Sequence, residues 1–328
     1  MQPLDDDNLL AVSDRYARFA RSEAHGNSAF YEAVCEAIAV DEELCARIAE
    51  LPPAKQQPNL VLASARYLDA PEHAPADFTA WLVDAWPRVR AVALEHRTQT
   101  NEPNRTGVLL TLLAQIDGPV ALIEVGASGG LCLFPDRYSH TYDDAHRLDP
   151  DDGRSAVVTR CETTGAVPFP TRMPRIVSRT GVDLHPLDVS RPEDARWLRA
   201  LVWPGQRERE ERLDAAIGIA RTTPPALIEG DLNERIGDLV AAVPSGVTPV
   251  VQHTAVLAYL DAAGRDRFFD QMRSLPARWI SYEGRGVFPR IDAQVPGGVR
   301  ADENRFIVSF DARPVAFAAP HGQRLDWM

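Results

Sequence analysis

The stretch that decides the fold prediction is Ala121-Leu122-Ile123-Glu124-Val125-Gly126-Ala127-Ser128-Gly129-Gly130-Leu131. An apolar run ends in the acid Glu124, and a glycine-rich turn then leads into more apolar sequence. A buried parallel strand leads into a helix in this way where a ligand approaches the backbone at the strand's carboxyl end. Glycine permits the close approach because it has no β-carbon. The stretch therefore predicts a nucleotide-type site.

The glycine spacing argues against a nicotinamide or flavin site. That fingerprint, G-x-G-x-x-G, places its first two glycines one residue apart, whereas Gly126 is followed by Ala127 and Ser128. The chain reads E-x-G-x-S-x-G, which resembles motif I of the class I S-adenosylmethionine-dependent methyltransferases (commonly acid-x-G-x-G-x-G). The resemblance implies that Glu124, Gly126, Ser128 and Gly130 hold the methionyl part and the backbone side of S-adenosylmethionine.

Four further runs resemble the next strands of the methyltransferase fold, in the same order. They are Thr180–Pro186, Pro225–Leu232, Val247–Thr254 and Arg278–Glu283. The resemblance implies that Asp183 binds the ribose hydroxyls and that Asp231, followed by Leu232, contacts the adenine.

Alternating strands and helices after residue 118 predict an α/β domain over residues 118–328. The resemblance implies that its sheet is Rossmann-like and doubly wound, of the class I methyltransferase type. The apolar segments 306–310 and 314–318 predict a final hairpin. Residues 1–117 carry apolar residues at helical intervals. They form either a lid that shapes the substrate pocket or a packing domain. The acid on the second strand normally follows about 20 residues after the first strand, but Asp183 lies 59 residues after Glu124. An insertion at about 140–178 is therefore expected, as a surface excursion with one or two short strands.

The segment from His96 to Arg105 contains no large aliphatic side chain and joins two apolar helices. Such a dense polar loop is either a binding site or a solvated connection. If it folds over the cofactor cleft, Asn101, Glu102 and Arg105 bind the methionyl amine and carboxylate, or the substrate.

The candidate catalytic residue is His253, at the carboxyl end of a predicted strand. Methyl transfer depends mainly on positioning, and a base is needed only where the acceptor must lose a proton. The near-neutral pKa of histidine suits that role; the alternative is a hydrogen-bonded structural histidine. Glu283 either orients an acceptor amine or binds a neighbouring arginine.

The net charge of −12 argues against a nucleic-acid partner and favours a small-molecule substrate. The four cysteines show no CxxC spacing, so free thiols are expected and no metal site. No apolar run reaches the roughly 18 residues that span a bilayer, and the acidic start of the chain is unlike a secretory signal. We expect a cytoplasmic protein without membrane association, and the oligomeric state stays open.

The whole chain also resembles an uncharacterised bacterial family, a domain of unknown function that brings no known reaction. The segments that carry this resemblance are Gln99–Glu102 with Arg105, Glu124–Ser128, Gly181–Leu184, Arg196–Pro204, His253–Leu260 and Pro320–Gly322. The first functional hypothesis is an S-adenosylmethionine-dependent methyltransferase acting on a small molecule. The alternatives are a non-catalytic protein that binds S-adenosylmethionine or S-adenosylhomocysteine, and a nicotinamide enzyme, which the missing G-x-G spacing disfavours.

Overall fold

The computed structural model describes residues 6–298 and 305–328. Its helices are α1 (Asp6–Phe19), α2 (Ala29–Ala39), α3 (Glu42–Ala49), α4 (Pro58–Tyr67), α5 (Pro75–Glu95), α6 (Arg105–Leu113), α7 (Pro192–Ala200), α8 (Arg207–Thr222), α9 (Leu232–Ala241), α10 (Ala262–Ser274) and α11 (Pro289–Asp292). Its strands are β1 (Pro119–Val125), β2 (Ser139–Tyr142), β3 (His146–Leu148), β4 (Val158–Thr164), β5 (Arg175–Asp183), β6 (Ala226–Glu229), β7 (Thr248–Thr254), β8 (Arg278–Gly284), β9 (Phe306–Phe310), β10 (Arg313–Ala318) and β11 (Arg324–Trp327).

The described strands form one mixed sheet in the order β3-β2-β4-β11-β10-β9-β8-β7-β1-β5-β6. The five strands β8, β7, β1, β5 and β6 run parallel to one another. Strand β9 is antiparallel to both β8 and β10, and β11 is antiparallel to β10. The predicted final hairpin is present as β9 and β10.

The predicted Rossmann-like doubly wound sheet of the class I methyltransferase type is wrong. The sheet is mixed, partly antiparallel and eleven-stranded over the described residues, rather than a doubly wound parallel sheet. Apolar runs in the sequence predict which segments are buried strands. They do not predict how distant strands pair, because the direction and order of pairing depend on contacts far apart along the chain.

The segment predicted as a surface excursion contributes to the sheet instead. It contains β2, β3 and β4, and β4 pairs in parallel with the last strand, β11. Cys161 on β4 and Leu325 on β11 are buried. The segment therefore extends the sheet, while β5 still lies directly beside β1.

The described chain divides into two compact units. The first comprises residues 6–100 and 191–211 and is helical. At the start of two of its helices, the Ser28 Oγ accepts from the Tyr31 N–H and the Asp41 Oδ1 accepts from the Leu44 N–H. Such caps satisfy N–H groups that lack partners in the first turn. The second unit comprises residues 101–190, 212–298 and 305–328 and contains the sheet. The predicted boundary at residue 117 stays a prediction.

An apolar cluster lies on one face of the sheet within the second unit. Side chains from β1, β7 and β8 pack there against α9, α10 and α11; they include Ile123, Val251, Ile236, Phe268, Trp279 and Ile291. Over residues 6–298 and 305–328, no helix has the length and apolar character needed to cross a bilayer.

Candidate functional site

The turn after β1 is sharp and tightly packed. Three of its residues have positive φ: Gly126 (70°), Ser128 (52°) and Gly130 (70°). The N–H of Gly126 donates to the Val182 carbonyl oxygen on β5 at 2.8 Å. A β-carbon on Gly126 would lie 2.2 Å from Val256 Cγ2. A neighbouring side chain of the protein itself therefore requires glycine at this position.

Glu124, the acid before the turn, is only 1% exposed. Its Oε2 accepts no hydrogen bond from any residue that the structure describes. Burial raises the pKa of this carboxyl well above its usual range; the Arg105 guanidinium opposes the rise and the Asp183 carboxylate adds to it. A buried acceptor without a donor is energetically costly. Glu124 therefore marks a place where a group that donates hydrogen bonds would be stabilised.

Gln252 provides a second buried acceptor that the sequence analysis did not identify. Gln252 on β7 and Glu124 on β1 are register partners, so their side chains leave the sheet on the same face. The Gln252 Nε2 donates to the Cys132 carbonyl oxygen at 2.9 Å, which sets the orientation of the amide. Its Oε1 lacks a donor among the described residues. The sequence feature that could have identified Gln252 is its position as a polar amide directly after the apolar pair at 250–251.

Asn101 and Glu102, both predicted to contact a ligand, contact other parts of the second unit. The Asn101 Oδ1 accepts a hydrogen bond from the Leu131 N–H at 2.8 Å, just after the glycine-rich turn. The Glu102 Oε1 lies 3.0 Å from Arg212 Nε in a buried ion pair. The first contact ties the polar segment to the end of the turn, and the second ties it to α8.

Arg105 is the first residue of α6 and is 6% exposed. Its Nε donates to the Pro320 carbonyl oxygen at 2.9 Å, and its Nη1 donates to the Thr254 carbonyl oxygen at 3.3 Å. Arg105 therefore ties α6 to the end of β7 and to the turn before β11. Its charge also acts on the Glu124 carboxyl.

Asp183 lies at the end of β5, directly beside the turn. Its Oδ2 accepts from the Ser128 N–H and its Oδ1 from the His185 N–H, both at 2.9 Å. The structure thus brings Asp183 to the glycine-rich turn, where it holds backbone N–H groups. The predicted role on a ribose stays a prediction.

Asp231 lies after β6 as the N-cap of α9. Its Oδ1 accepts from the Asn233 N–H at 2.8 Å and lies 3.8 Å from Arg267 Nη2. Leu232 packs against the apolar cluster. The N–H of Gly230 donates to the Asp183 carbonyl oxygen at 2.9 Å, so this segment adjoins the end of β5. The predicted adenine contacts stay predictions.

His253 is fully buried, with a partner on each ring nitrogen. The Nδ1 lies 2.7 Å from Glu283 Oε1, and the indole N–H of Trp279 donates to Nε2 at 2.9 Å. Because an indole nitrogen only donates, Nε2 must accept and Nδ1 carries the proton. The geometry assigns His253 a neutral, Nδ1-protonated ring, and its role as a base stays a prediction.

Glu283 connects His253 to the segment that follows β7. Besides His253 Nδ1, its Oε1 accepts from the N–H groups of Val256 and Leu257, at 3.0 and 3.2 Å. The partners of this oxygen are a histidine and backbone N–H groups rather than an arginine. The predicted contact with an acceptor amine stays a prediction.

A cavity of about 410 Å³ lies among residues that the sequence analysis did not predict. It is lined by Tyr142, Ala145, His146, Arg147, Leu148, Phe169, Pro170 and Thr171. Its ring pair, His146 and Phe169, is already stacked at 3.9 Å. Among the described residues, no group of three or more His, Cys, Asp or Glu side chains is placed to hold a metal ion.

The fold and site define an α/β protein with a mixed sheet and two buried acceptors beside a glycine-rich turn. The sequence model of a family described as "Uncharacterized protein conserved in bacteria (DUF2332)" matches residues 13–327. The chain belongs to this family, which confirms the resemblance to a bacterial domain of unknown function. No curated protein matches the chain.

Proposed function

We propose that this protein binds S-adenosylmethionine at the carboxyl edge of β1 and β7 and transfers its methyl group to a small molecule. The observation that carries the proposal is Glu124, whose buried Oε2 has no donor among the described residues. Gln252 supports it with a second such acceptor on the adjacent strand. We further propose a cytoplasmic location.

The two acceptors suit the ammonium group of a methionyl ligand. A primary ammonium carries three N–H donors and a positive charge, so it satisfies Glu124 Oε2 and Gln252 Oε1 together. The charge would stabilise the ionised form of a carboxyl whose pKa burial has raised. When bound, S-adenosylmethionine supplies an electrophilic methyl group.

The glycine-rich turn itself offers a ligand less than Glu124 and Gln252 do, because its space and its neighbouring acceptor are already occupied. Val256 fills the space beside Gly126, and Asp183 already accepts from backbone N–H groups. The proposal therefore places the methionyl end at Glu124 and Gln252. The assignments of Ser128 and Gly130 to the cofactor remain part of the proposal. So do those of four residues to the substrate: Asn101, Glu102, Arg105 and Glu283.

The test is calorimetric titration with S-adenosylmethionine, S-adenosylhomocysteine and NADH. We expect the first two to bind and NADH not to bind. Glu124→Gln keeps the shape but removes the charge, so it should weaken binding by ~1–3 kcal/mol. The exposed Glu208→Gln is the matched control. Binding of NADH alone would favour a nicotinamide enzyme, and equal affinity of Glu124→Gln and wild type would contradict the assigned site.

A second readout is the proton released on binding. With a raised pKa, Glu124 is protonated over a wider pH range in the free protein, and a bound cation favours its ionised form. Affinity should rise with pH below the Glu124 pKa, by up to about tenfold per pH unit. Titrations in buffers of different ionisation enthalpy measure this release, which Glu124→Gln should abolish.

The second candidate function is non-catalytic binding of S-adenosylmethionine or S-adenosylhomocysteine. The burial of His253, with both ring nitrogens bonded, favours it because a base must reach its substrate. A catalyst should lose turnover but keep cofactor affinity in His253→Gln. Slow formation of S-adenosylhomocysteine with no acceptor-dependent increase across an acceptor screen would favour the binding protein.

A further inference from the structure

The segment after β7 contacts the glycine-rich turn at one point. We define it as the gate segment, Ala255–Tyr259. Val256, its second residue, packs on Gly126 so closely that a β-carbon there would lie 2.2, 2.6 and 3.0 Å from three Val256 side-chain atoms. The side chain thus occupies the space that a glycine leaves free for close approach of a ligand.

The backbone of the gate segment departs from its preferred conformation where it leaves β7. Ala255 has a φ of 57°, in the left-handed region that residues with a β-carbon rarely adopt. Holding alanine in this conformation is unfavourable, so neighbouring contacts must compensate. The Ala255 N–H donates to the Tyr282 carbonyl oxygen at 3.0 Å, which is one such contact.

Glu283 supplies further contacts. Its Oε1 accepts from the N–H groups of Val256 and Leu257, and this same oxygen faces His253. Glu283 lies on β8 inside the sheet and is 3% exposed, so it is a fixed anchor. The anchor holds the backbone of Val256, and the backbone holds the side chain over Gly126.

We propose that Val256 controls access to the glycine-rich turn and that Glu283 is the positioning residue that keeps it closed. Ligand entry then requires the gate segment to release its two N–H groups from Glu283 and to move Val256 away from Gly126. This proposal rests on the proposed function, because it concerns the same edge of the sheet. It also explains why a glycine-rich turn has so little free space beside Gly126: the closed gate segment places Val256 there.

The first experiment compares the affinity of wild type, Val256→Ala and Val247→Ala for S-adenosylmethionine. Val247 is a partly buried valine just before the amino end of β7, so it controls for loss of two methyl groups. If only the open state binds the ligand, the apparent affinity is proportional to the fraction of molecules that are open. Opening by Val256→Ala should therefore tighten binding by ~5–20-fold, with Val247→Ala close to wild type.

The second experiment is amide hydrogen exchange, which needs no ligand. We expect residues 256–259 to exchange faster than β7, because opening of the gate segment does not require global unfolding. Glu283→Gln retains an acceptor oxygen but lacks the charge, so it should speed exchange at Val256 and Leu257 a few-fold. Val256→Ala should speed exchange in the same segment while β7 is unchanged.

The outcomes separate the two proposals. Tighter binding by Val256→Ala together with faster exchange of the gate segment supports both. Equal affinity of all three proteins overturns the gate while S-adenosylmethionine binding stands. Exchange of the gate segment only with global unfolding also overturns the gate. If no protein binds the ligand, the proposed function fails and the gate proposal fails with it.

Discussion

Asn104 and His321 are joined by a hydrogen bond from the Asn104 Nδ2 to the His321 carbonyl oxygen at 3.0 Å, across 217 positions of sequence. Asn104 also pairs with the backbone of Arg160 on β4, donating to its carbonyl oxygen at 3.1 Å and accepting from its N–H at 2.8 Å. One amide therefore links the start of α6 to β4 and to the turn before β11. The stability of this junction is open to direct tests.

Gly322→Ala should destabilise the fold through this junction. A β-carbon at Gly322 would lie 2.6 Å from the Asn104 carbonyl oxygen, and its φ is 78°. Both the left-handed backbone and the collision with Asn104 disfavour alanine. We expect a loss of ~2–4 kcal/mol in the free energy of unfolding, measured by denaturant titration.

The matched control is Gly246→Ala, where φ is 83° and nothing lies within 4 Å of an added β-carbon. It should cost about 1 kcal/mol, from the backbone conformation alone. Equal losses in the two variants would show that the contact with Asn104 contributes nothing.

His140 should make stability fall as the pH is lowered. Burial lowers its pKa to about 4, although its hydrogen bond to the Pro135 carbonyl oxygen and the charge of Asp149 oppose this. Above pH 6.5 the ring is neutral in both states. Between about 6.5 and 4 the unfolded chain takes up a proton that the folded protein does not, so stability falls by up to about 3 kcal/mol.

Denaturant titrations from pH 7 to 4 measure this effect in wild type and His140→Gln. The variant lacks the titrating ring, so its stability should depend less steeply on pH over this range. The exposed His73→Gln serves as control and should follow wild type. Parallel curves for wild type and His140→Gln would contradict the assignment.

The buried ion pair between Glu102 and Arg212 should matter more than an exposed one. The side chains of the two residues are 3% and 12% exposed, and their charged atoms lie 3.0 Å apart. Arg212→Met leaves a buried carboxylate without its cation and should cost about 3 kcal/mol. Arg207→Met breaks the exposed pair with Glu211 and should change stability by less than about 1 kcal/mol.

The double variant Glu102→Gln/Arg212→Met tests the cause. The neutral amide can still accept from the Asn104 N–H, which donates to Glu102 Oε1 at 3.0 Å. It should therefore recover part of the loss seen in Arg212→Met. A double variant no more stable than Arg212→Met would mean that packing of the arginine, rather than its charge, is what the pair contributes.

His253 should be neutral and protonated on Nδ1. The Trp279 indole N–H donates to Nε2, and Glu283 accepts on the other side. Nitrogen-15 chemical shifts of the labelled ring distinguish the two tautomers directly. Trp279→Phe removes the donor and should shift the Nε2 resonance while leaving the proton on Nδ1; an Nε2-protonated ring in wild type would contradict the geometry.

The local pattern of apolar and polar residues was sufficient to predict the strands of the parallel part of the sheet. Apolar runs that end in polar residues predicted β1, β5, β6, β7 and β8, and the final hairpin was confirmed as β9 and β10. Burial of a strand imposes a composition that is readable within a few residues. The predicted sheet type was wrong because the sheet is mixed and continues beyond the final hairpin through β11 to β4, β2 and β3. Nothing local to β4 or β11 specifies that these two distant strands pair.

The sequence by itself determined the buried strands, the glycine-rich turn and the acid before it, because each depends on neighbouring residues and on backbone conformations open to glycine. Only the tertiary structure decided what surrounds them. It placed Gln252 beside Glu124 and Val256 against Gly126, and it enclosed His253 between Glu283 and Trp279. Those relationships join distant parts of the chain, and they form only when the sheet brings the strand ends together.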